Sequence, residues 1–295
     1  MKEFTAACVQ IAIQPNNVQA NIQKGVSWLE KAVHEHQADL VVFPETVTTG
    51  YETDLTADDL WDLVDEAPGL ITSEIQSAAR KLGVHVVWPS YRRGKVRGEV
   101  YNSAILIGPD GAIIGIYDKT HPAPWERIDA GGWVMVGNRA DVFETELGNI
   151  GMIICYDGDF PELSRLLAIK GAEIIIRASA LQRSYDIWYI TNAARAYDNH
   201  VYVVASNLVG PDAKGNYGFG HSMIINPIAW RLAQARGTEE IISARLDPDP
   251  LRYITWGSKN LQTFDHLEDR NIELYKGILK EARSRFEPGK RFKHE

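Results

Sequence analysis

What this chain has little of narrows it first. It holds two cysteines, Cys8 and Cys155, too few for a disulfide framework and without the spacing of a metal-ligand set. Basic charge is in deficit: the formal net charge is −8, and no basic stripe offers a nucleic-acid surface. Apolar runs stay at strand length, so no segment is expected to span a membrane. Met1-Lys2-Glu3-Phe4 lacks the apolar core of a signal peptide, and the expected compartment is the reducing cytoplasm. With no glycine-rich phosphate loop and no metal-ligand cluster, no cofactor and no metal are expected. Composition does not break anywhere along the chain, which predicts a single domain over residues 1–285 and a short C-terminal tail, 286–295.

What is there organises itself around Gly148-Asn149-Ile150-Gly151-Met152-Ile153-Ile154-Cys155-Tyr156-Asp157-Gly158-Asp159-Phe160-Pro161-Glu162. Met152 to Ile154 are apolar without alternation, as in a strand covered on both faces. Asp157 to Asp159 break the run, and Pro161 with Glu162 suits the first turn of a helix. Cys155 therefore ends a strand beside a helix N-terminus, an edge where ligands bind in open α/β sheets and a setting that lowers a thiol's pKa. A small buried hydrophobe is the competing role for any unpaired cysteine.

Taken in order, Thr5–Ile13 reads as a strand with Cys8 in the core, and Asn17–Gln37 as a helix presenting Ile22, Val26, Leu29 and Val33. Ala38 to Phe43 is a second apolar run, halted by Pro44-Glu45. Ala57–Val64 and Ile71–Leu82 read as helices and Val84–Pro89 as a strand. Gly108-Pro109-Asp110-Gly111 joins Val100–Ile107 to Ala112–Tyr117 in a hairpin that runs into Lys119. Beyond the central stretch come strand Ala172–Arg177, a long helix over Asp186–Tyr197 and strand Val201–Asn207. A hairpin is expected from His221–Asn226 and Ile241–Leu246, and a helix near Arg270–Ser284. Two halves of similar β-α-β-β content suggest two sheets with helices outside. Glu45, Lys119 and Cys155 each stand just past a strand; singly, a surface carboxylate, a solvated lysine and a core thiol are the commoner roles.

Together, these contexts resemble the nitrilase superfamily of carbon–nitrogen hydrolases. Phe43-Pro44-Glu45, Tyr117-Asp118-Lys119-Thr120-His121 and Ile154 to Glu162 are similar to its three signature segments. Arg195 to Val204, Gly220 to Pro227 and Asp269 to Tyr275 extend the likeness over nearly the whole chain. The resemblance implies an α/β fold, a four-layer α-β-β-α sandwich of two mixed sheets with helices on the outside. It also implies homodimers or larger homo-oligomers.

Amide hydrolysis at neutral pH needs a nucleophile better than water, a proton carrier and a cation or N–H groups where negative charge develops. By resemblance Cys155 is the nucleophile and Glu45 the general base. Lys119, with the Tyr156 backbone N–H, stabilises the tetrahedral intermediate. Glu126 is the candidate for a second glutamate that holds Lys119 or the substrate amine, at a spacing closer to true nitrilases than to carbamoylases. Cys155-Tyr156-Asp157, in contrast, resembles the amidase and carbamoylase branches. Gly158 and Asp159 stand where carbamoyl-amino-acid hydrolases carry paired arginines, so a substrate with a free α-carboxylate is disfavoured unless Arg177 binds it; Arg177 could equally pair with a structural carboxylate. Tyr51, Trp125, Tyr156, Arg177 and Ala178 are the expected substrate-binding residues, and Trp133 and Trp188 could add to an aromatic pocket or belong to the core. His121 and His221 are given no proton-transfer role. With no ATP-dependent synthetase domain in the sequence, an ammonia-feeding glutaminase is not expected.

The expected activity is hydrolysis by water of a small non-peptide amide through a thioester. A nitrilase, an N-carbamoyl amine hydrolase and a non-catalytic scaffold are the alternatives.

Overall fold

The first strand shows how the layers form. The computed structural model describes residues 1–252, 254, 261 and 263–282. In it, β1 (Phe4–Gln10) sends Ala7 and Val9 to one side and Ala6 and Cys8 to the other. Successive side chains of a strand point to opposite faces, and all four are buried, so both faces are covered. Helix α1 (Val18–His36) follows, its first turn capped by Asn17, whose side chain accepts from the Ala20 N–H. Then come β2 (Leu40–Val42), α2 (Ala57–Leu63), α3 (Leu70–Leu82), β3 (His85–Arg93), β4 (Val100–Ile107) and β5 (Ile113–Asp118). The second half contains β6 (Val142–Thr145), β7 (Gly148–Ile154), α4 (Pro161–Ile169), β8 (Ile174–Ser179), α5 (Tyr185–Asn199) and β9 (Tyr202–Asn207). A small hairpin of β10 (Val209–Pro211) and β11 (Tyr217–Phe219) precedes β12 (Met223–Ile225), β13 (Arg231–Gln234) and β14 (Glu240–Leu246).

Two six-stranded sheets result, ordered β14-β1-β2-β3-β4-β5 and β13-β12-β9-β8-β7-β6. Each has parallel strands at its centre, β1-β2-β3 and β7-β8-β9, with antiparallel strands on both flanks. One face of the first sheet, through Ala7, Val9, Val41, Val86 and Trp88, packs against Ile22 and Leu29 of α1 and Ile75 of α3. Its other face, through Cys8, Val42, Val87 and Leu106, joins the cluster that holds Met152, Ile176 and Val204 of the second sheet. Leu163 and Leu167 of α4 and Trp188 of α5 close the fourth layer. The α-β-β-α sandwich of two mixed sheets is the observed architecture.

Two expectations need correction. His221–Asn226 does not pair with Ile241–Leu246. The Asn226 side-chain oxygen accepts from the N–H groups of Ile228 at 3.2 Å and Trp230 at 2.9 Å, which turns the chain back at once into β13. Strand β14 leaves for the first sheet and pairs antiparallel with β1, from Phe4↔Leu246 to Gln10↔Glu240. The helix expected near Arg270–Ser284 is a 3₁₀ segment over Ile272–Gly277 among the described residues. Ile272 and Leu274 within it and Leu279 beyond it are exposed, so no packed face rewards the ordering of a longer helix. Ser284 and the tail 286–295 lie outside the described residues.

Candidate active site

The carboxyl ends of β2 and β8 meet where the sheets face each other, and the Glu45 N–H donates to the Ser179 carbonyl at 3.3 Å. Residues 43–50 are buried despite their threonines, because the backbone finds partners on both sides: Phe43 N–H on Val87 and Val47 N–H on Pro89. The Glu45 carboxylate is fully buried and held at both oxygens. Oε1 accepts from Lys119 Nζ at 2.8 Å and from Asn102 Nδ2 at 2.8 Å, and Oε2 accepts from the Ala180 N–H at 2.7 Å. Lys119, one residue past β5, is anchored by its N–H on the Asn102 carbonyl at 2.8 Å. Its second carboxylate partner is Glu126 Oε2 at 2.8 Å. Glu126 Oε2 also accepts from the Ala123 N–H, whereas Glu126 Oε1 is buried with no partner.

Three fully buried charged side chains are thus in direct contact. Burial pushes the Lys119 ammonium down, but Glu126, Glu45 and Cys155 together outweigh it and hold the group well above the usual lysine range. Burial raises the Glu126 carboxyl; Lys119 opposes that shift and Glu45 adds to it. Tyr51 lies beside the cluster, its ring centroid 5.4 Å from Lys119 Nζ, and its hydroxyl is raised by burial and by Glu126, Glu45 and Cys155.

Cys155 opens a 3₁₀ turn over Cys155–Asp159, with a left-handed φ of 47°, a conformation that costs a non-glycine residue and persists only where its surroundings over-determine it. The thiol is almost fully buried, and burial, then Glu45, raise its pKa, against the lowering effects of Lys119 and Arg177. Burial therefore opposes the lowering expected from a helix N-terminus. Helix α4 begins only at Pro161, past the turn that carries Cys155.

Asp157 fixes this turn to the end of β5. Its Oδ2 accepts from Tyr117 Oη at 2.7 Å and the Ile154 N–H at 2.9 Å; its Oδ1 accepts from the His121 N–H at 2.8 Å. His121 itself stacks on Phe160 with ring centroids 3.9 Å apart.

The expected substrate-binding residues separate. Tyr51 faces the buried cluster. The Tyr156 ring is half-buried and meets Phe160 edge-on at 5.0 Å, with Arg183 over it at 5.7 Å. Trp125 is 41% exposed. Trp133 donates from Nε1 to Tyr91 Oη at 3.0 Å, and Trp188 is buried with its Nε1 on the His221 carbonyl at 2.7 Å. Ala178 is buried opposite Ile154 in the sheet. Arg177 needs correction as a substrate anchor. It lies inside β8 rather than at its end, and its guanidinium is spent on the protein. Nε and Nη2 donate to the Cys155 carbonyl at 3.0 and 2.7 Å, and Nη1 donates to Thr191 Oγ1 and Asn192 Oδ1 on α5. Asp159 Oδ1 is 3.6 Å from Nη2.

Asn102 and Asp157 are the residues that sequence reasoning did not single out. Asn102 carried a signal: it shares the inward parity of Ala104 and Leu106 on β4, where a polar side chain needs a reason. Among the described residues no group of three His, Cys, Asp or Glu side chains could hold a metal ion, and no helix is long and apolar enough to cross a membrane.

A strand-end thiol beside a buried Glu–Lys–Glu cluster, in a sandwich of two sheets, defines a class of thiol hydrolase. The carbon-nitrogen hydrolase family profile matches residues 5–254, and this chain belongs to that family. A probable nitrilase of Schizosaccharomyces pombe is 34% identical over 281 residues, covering 92% of this chain and 97% of its own. A formamidase of Bacillus cereus is 31% identical over 271 residues, 87% of this chain and 78% of that one. The crystal structure of a carbon-nitrogen hydrolase from Helicobacter pylori superposes with a TM-score of 0.81 at 25% identity, covering 95% of this chain and 99% of that one. The chain is accordingly a hydrolase of non-peptide carbon–nitrogen bonds.

Proposed function

We propose that this enzyme hydrolyses a small amide through a thioester on Cys155, with Glu45, Lys119 and Glu126 as the other catalytic residues. The observation that carries the reading is the buried contact of Lys119 with both carboxylates beside the buried Cys155 thiol. Glu45 takes the thiol proton as sulfur bonds to the carbonyl carbon and the carbon–oxygen π pair moves onto oxygen. Lys119 and the Tyr156 N–H stabilise that oxygen. As the pair returns, the C–N bond breaks and Glu45 gives its proton to the leaving ammonia or amine. Water then loses a proton to Glu45 and adds to the thioester; collapse releases the acid and restores the thiol.

A pre-formed thiolate beside Glu45 would be two adjacent anions in a poorly solvated site, so moving the proton during attack is the favoured course. Glu126 Oε1, buried and without a partner, is an acceptor suited to the N–H of a substrate amide, and its other oxygen orients Lys119. Tyr51 and the chain at Tyr156 would wall the acyl side.

An amide is favoured over a nitrile by the Cys155-Tyr156-Asp157 context and by the formamidase relative. The probable nitrilase relative keeps nitriles in the test. An ammonia-release screen over small amides, carbamoyl amines and nitriles, with mass spectrometry of the acylated protein, distinguishes them. Cys155→Ala should lose turnover and the acyl adduct while the folded state persists; more than trace activity in that variant would refute the assignment. Exposed apolar Leu166 and Ile169 of α4 and Ile190 of α5 support assembly as a homodimer or larger homo-oligomer. A reducing cytoplasm suits an enzyme whose nucleophile is a free thiol.

A further inference from the structure

Arg177 is buried at 0% exposure, beneath the turn that carries the nucleophile. A guanidinium so placed is expensive to desolvate and is normally matched by a carboxylate. Here Asp159 Oδ1 stands 3.6 Å from Nη2, an ion pair without a close hydrogen bond, while Nε and Nη2 both close on one backbone atom, the Cys155 carbonyl, at 3.0 and 2.7 Å. The rest of the site is shaped for that contact. Nη1 is tied to Thr191 and Asn192, and the Trp188 ring lies 5.0 Å from Cζ. Gly158 leaves the space: a Cβ there would fall 2.1 Å from Arg177 Cζ and 2.3 Å from Nε. Burial pushes the guanidinium down to about 10, which still leaves it charged at neutral pH.

The Cys155 carbonyl belongs to the same peptide unit as the Tyr156 N–H. That unit is trans and planar, so its C=O and N–H point in opposite directions. A fork that pins the carbonyl toward α5 therefore aims the N–H away from α5. The Tyr156 N–H also sits in the first turn of the 3₁₀ segment, where no earlier carbonyl of the turn can accept it. Charge drawn onto the carbonyl oxygen makes the N–H of the same unit a stronger donor.

We infer that Arg177 is a positioning residue for the oxyanion site: it locks and polarises the Cys155–Tyr156 peptide so that the Tyr156 N–H meets the developing oxyanion and cannot flip. The inference deepens the thioester reading above and rests on it. It also gives Gly158 a function, as the residue whose missing side chain admits the guanidinium.

The test uses the intact chain with formamide, acetamide, propionamide and butyramide as substrates and the matching aldehydes as tetrahedral probes. An aldehyde adds to Cys155 by forming a C–S bond and opening its C=O, with the thiol proton passing to the oxygen, so the tetrahedral adduct puts its oxygen where the oxyanion would form and its affinity reports on the donors there. Arg177→Met should lower kcat and weaken aldehyde binding by roughly 10²–10³-fold, the usual effect of losing one such donor. The KM for the amide should move less than about threefold. Arg177→Lys keeps the charge but not the fork and should fall between. Gly158→Ala retains the arginine and displaces it, and should reproduce the aldehyde defect even if Arg177→Met fails to fold.

Folded Arg177→Met or Gly158→Ala protein that binds aldehyde like wild type overturns the inference, as does an equal loss of amide and aldehyde affinity. Failure of the wild type to acylate or bind aldehyde at Cys155 would instead overturn the thioester reading.

Discussion

At the scale of single residues, the site depends on a cation between two carboxylates. Lys119 contacts Glu45 and Glu126 at 2.8 Å each, so its charge offsets theirs in the resting site, and in the proposed reaction it would also meet the oxyanion. Lys119→Ala should lower kcat by about 10²–10³-fold, with a smaller change in KM, because the interaction it supplies to substrate grows only as the oxyanion forms. Steady-state kinetics on any turned-over amide decides this; a change confined to KM would make the lysine a substrate anchor. Removing Lys119 also strands two carboxylates in a buried pocket without their cation. The residues named from sequence differ in how far one chain could reveal them. Glu45, Lys119 and Cys155 stood out because a polar residue ending an apolar run is odd three times over. Arg177 stood out too, but its destination did not. Nothing local says whether a buried guanidinium meets a substrate carboxylate or the backbone carbonyl 22 residues before it.

At the scale of elements, the turn that carries Cys155 is held from both sides: Arg177 on β8 grips its carbonyl from behind, and Asp157 ties it to β5. Asp157 is fully buried and accepts from Tyr117, Ile154 and His121. Asp157→Asn replaces two acceptor oxygens by one and turns the other end into a donor facing donors. It should destabilise the fold by about 1.5–3 kcal/mol, the range for hydrogen bonds to a charged group, read as a shift in denaturant midpoint at constant m-value. An unchanged midpoint would show that the Asp157 contacts add nothing to the fold. Elements were legible where burial is continuous or periodic. Helix α1, the β4–β5 hairpin and β7 lie close to where apolar pattern and turn residues put them. The error at β12 has a physical origin: β13 is short and half-exposed, so it carries no apolar run, while β14 does and was the attractive partner. Nothing in Ile241–Leu246 states which sheet it joins.

At the scale of the whole molecule, the two sheets face each other over a layer that includes Cys8, and at its edge lies the site. Burial raises the thiols of both Cys8 and Cys155. A thiol that stays protonated in the fold but ionises near pH 8.5 when unfolded contributes stability that is present below about pH 8.5 and lost as pH rises beyond it. Unfolding free energy should therefore decline on the alkaline side. Cys8→Ala should flatten that limb by about 1.4 kcal/mol per pH unit above pH 9, whatever the cavity costs at neutral pH. Chemical denaturation from pH 7 to 10 measures the slope; identical slopes in both proteins would mean Cys8 titrates in the fold as it does unfolded.

The sequence by itself determined the secondary elements with a buried face, the strand-end placement of Glu45, Lys119 and Cys155, and through them the family, since apolar periodicity and local motifs are properties of neighbouring residues. The tertiary structure alone decided which distant groups share a hydrogen bond or an ion pair. Contact between residues 45, 102, 119 and 126 follows from how two sheets pack. The same packing pushes the thiol's pKa up, because desolvation is set by everything that surrounds a group rather than by its neighbours in the chain.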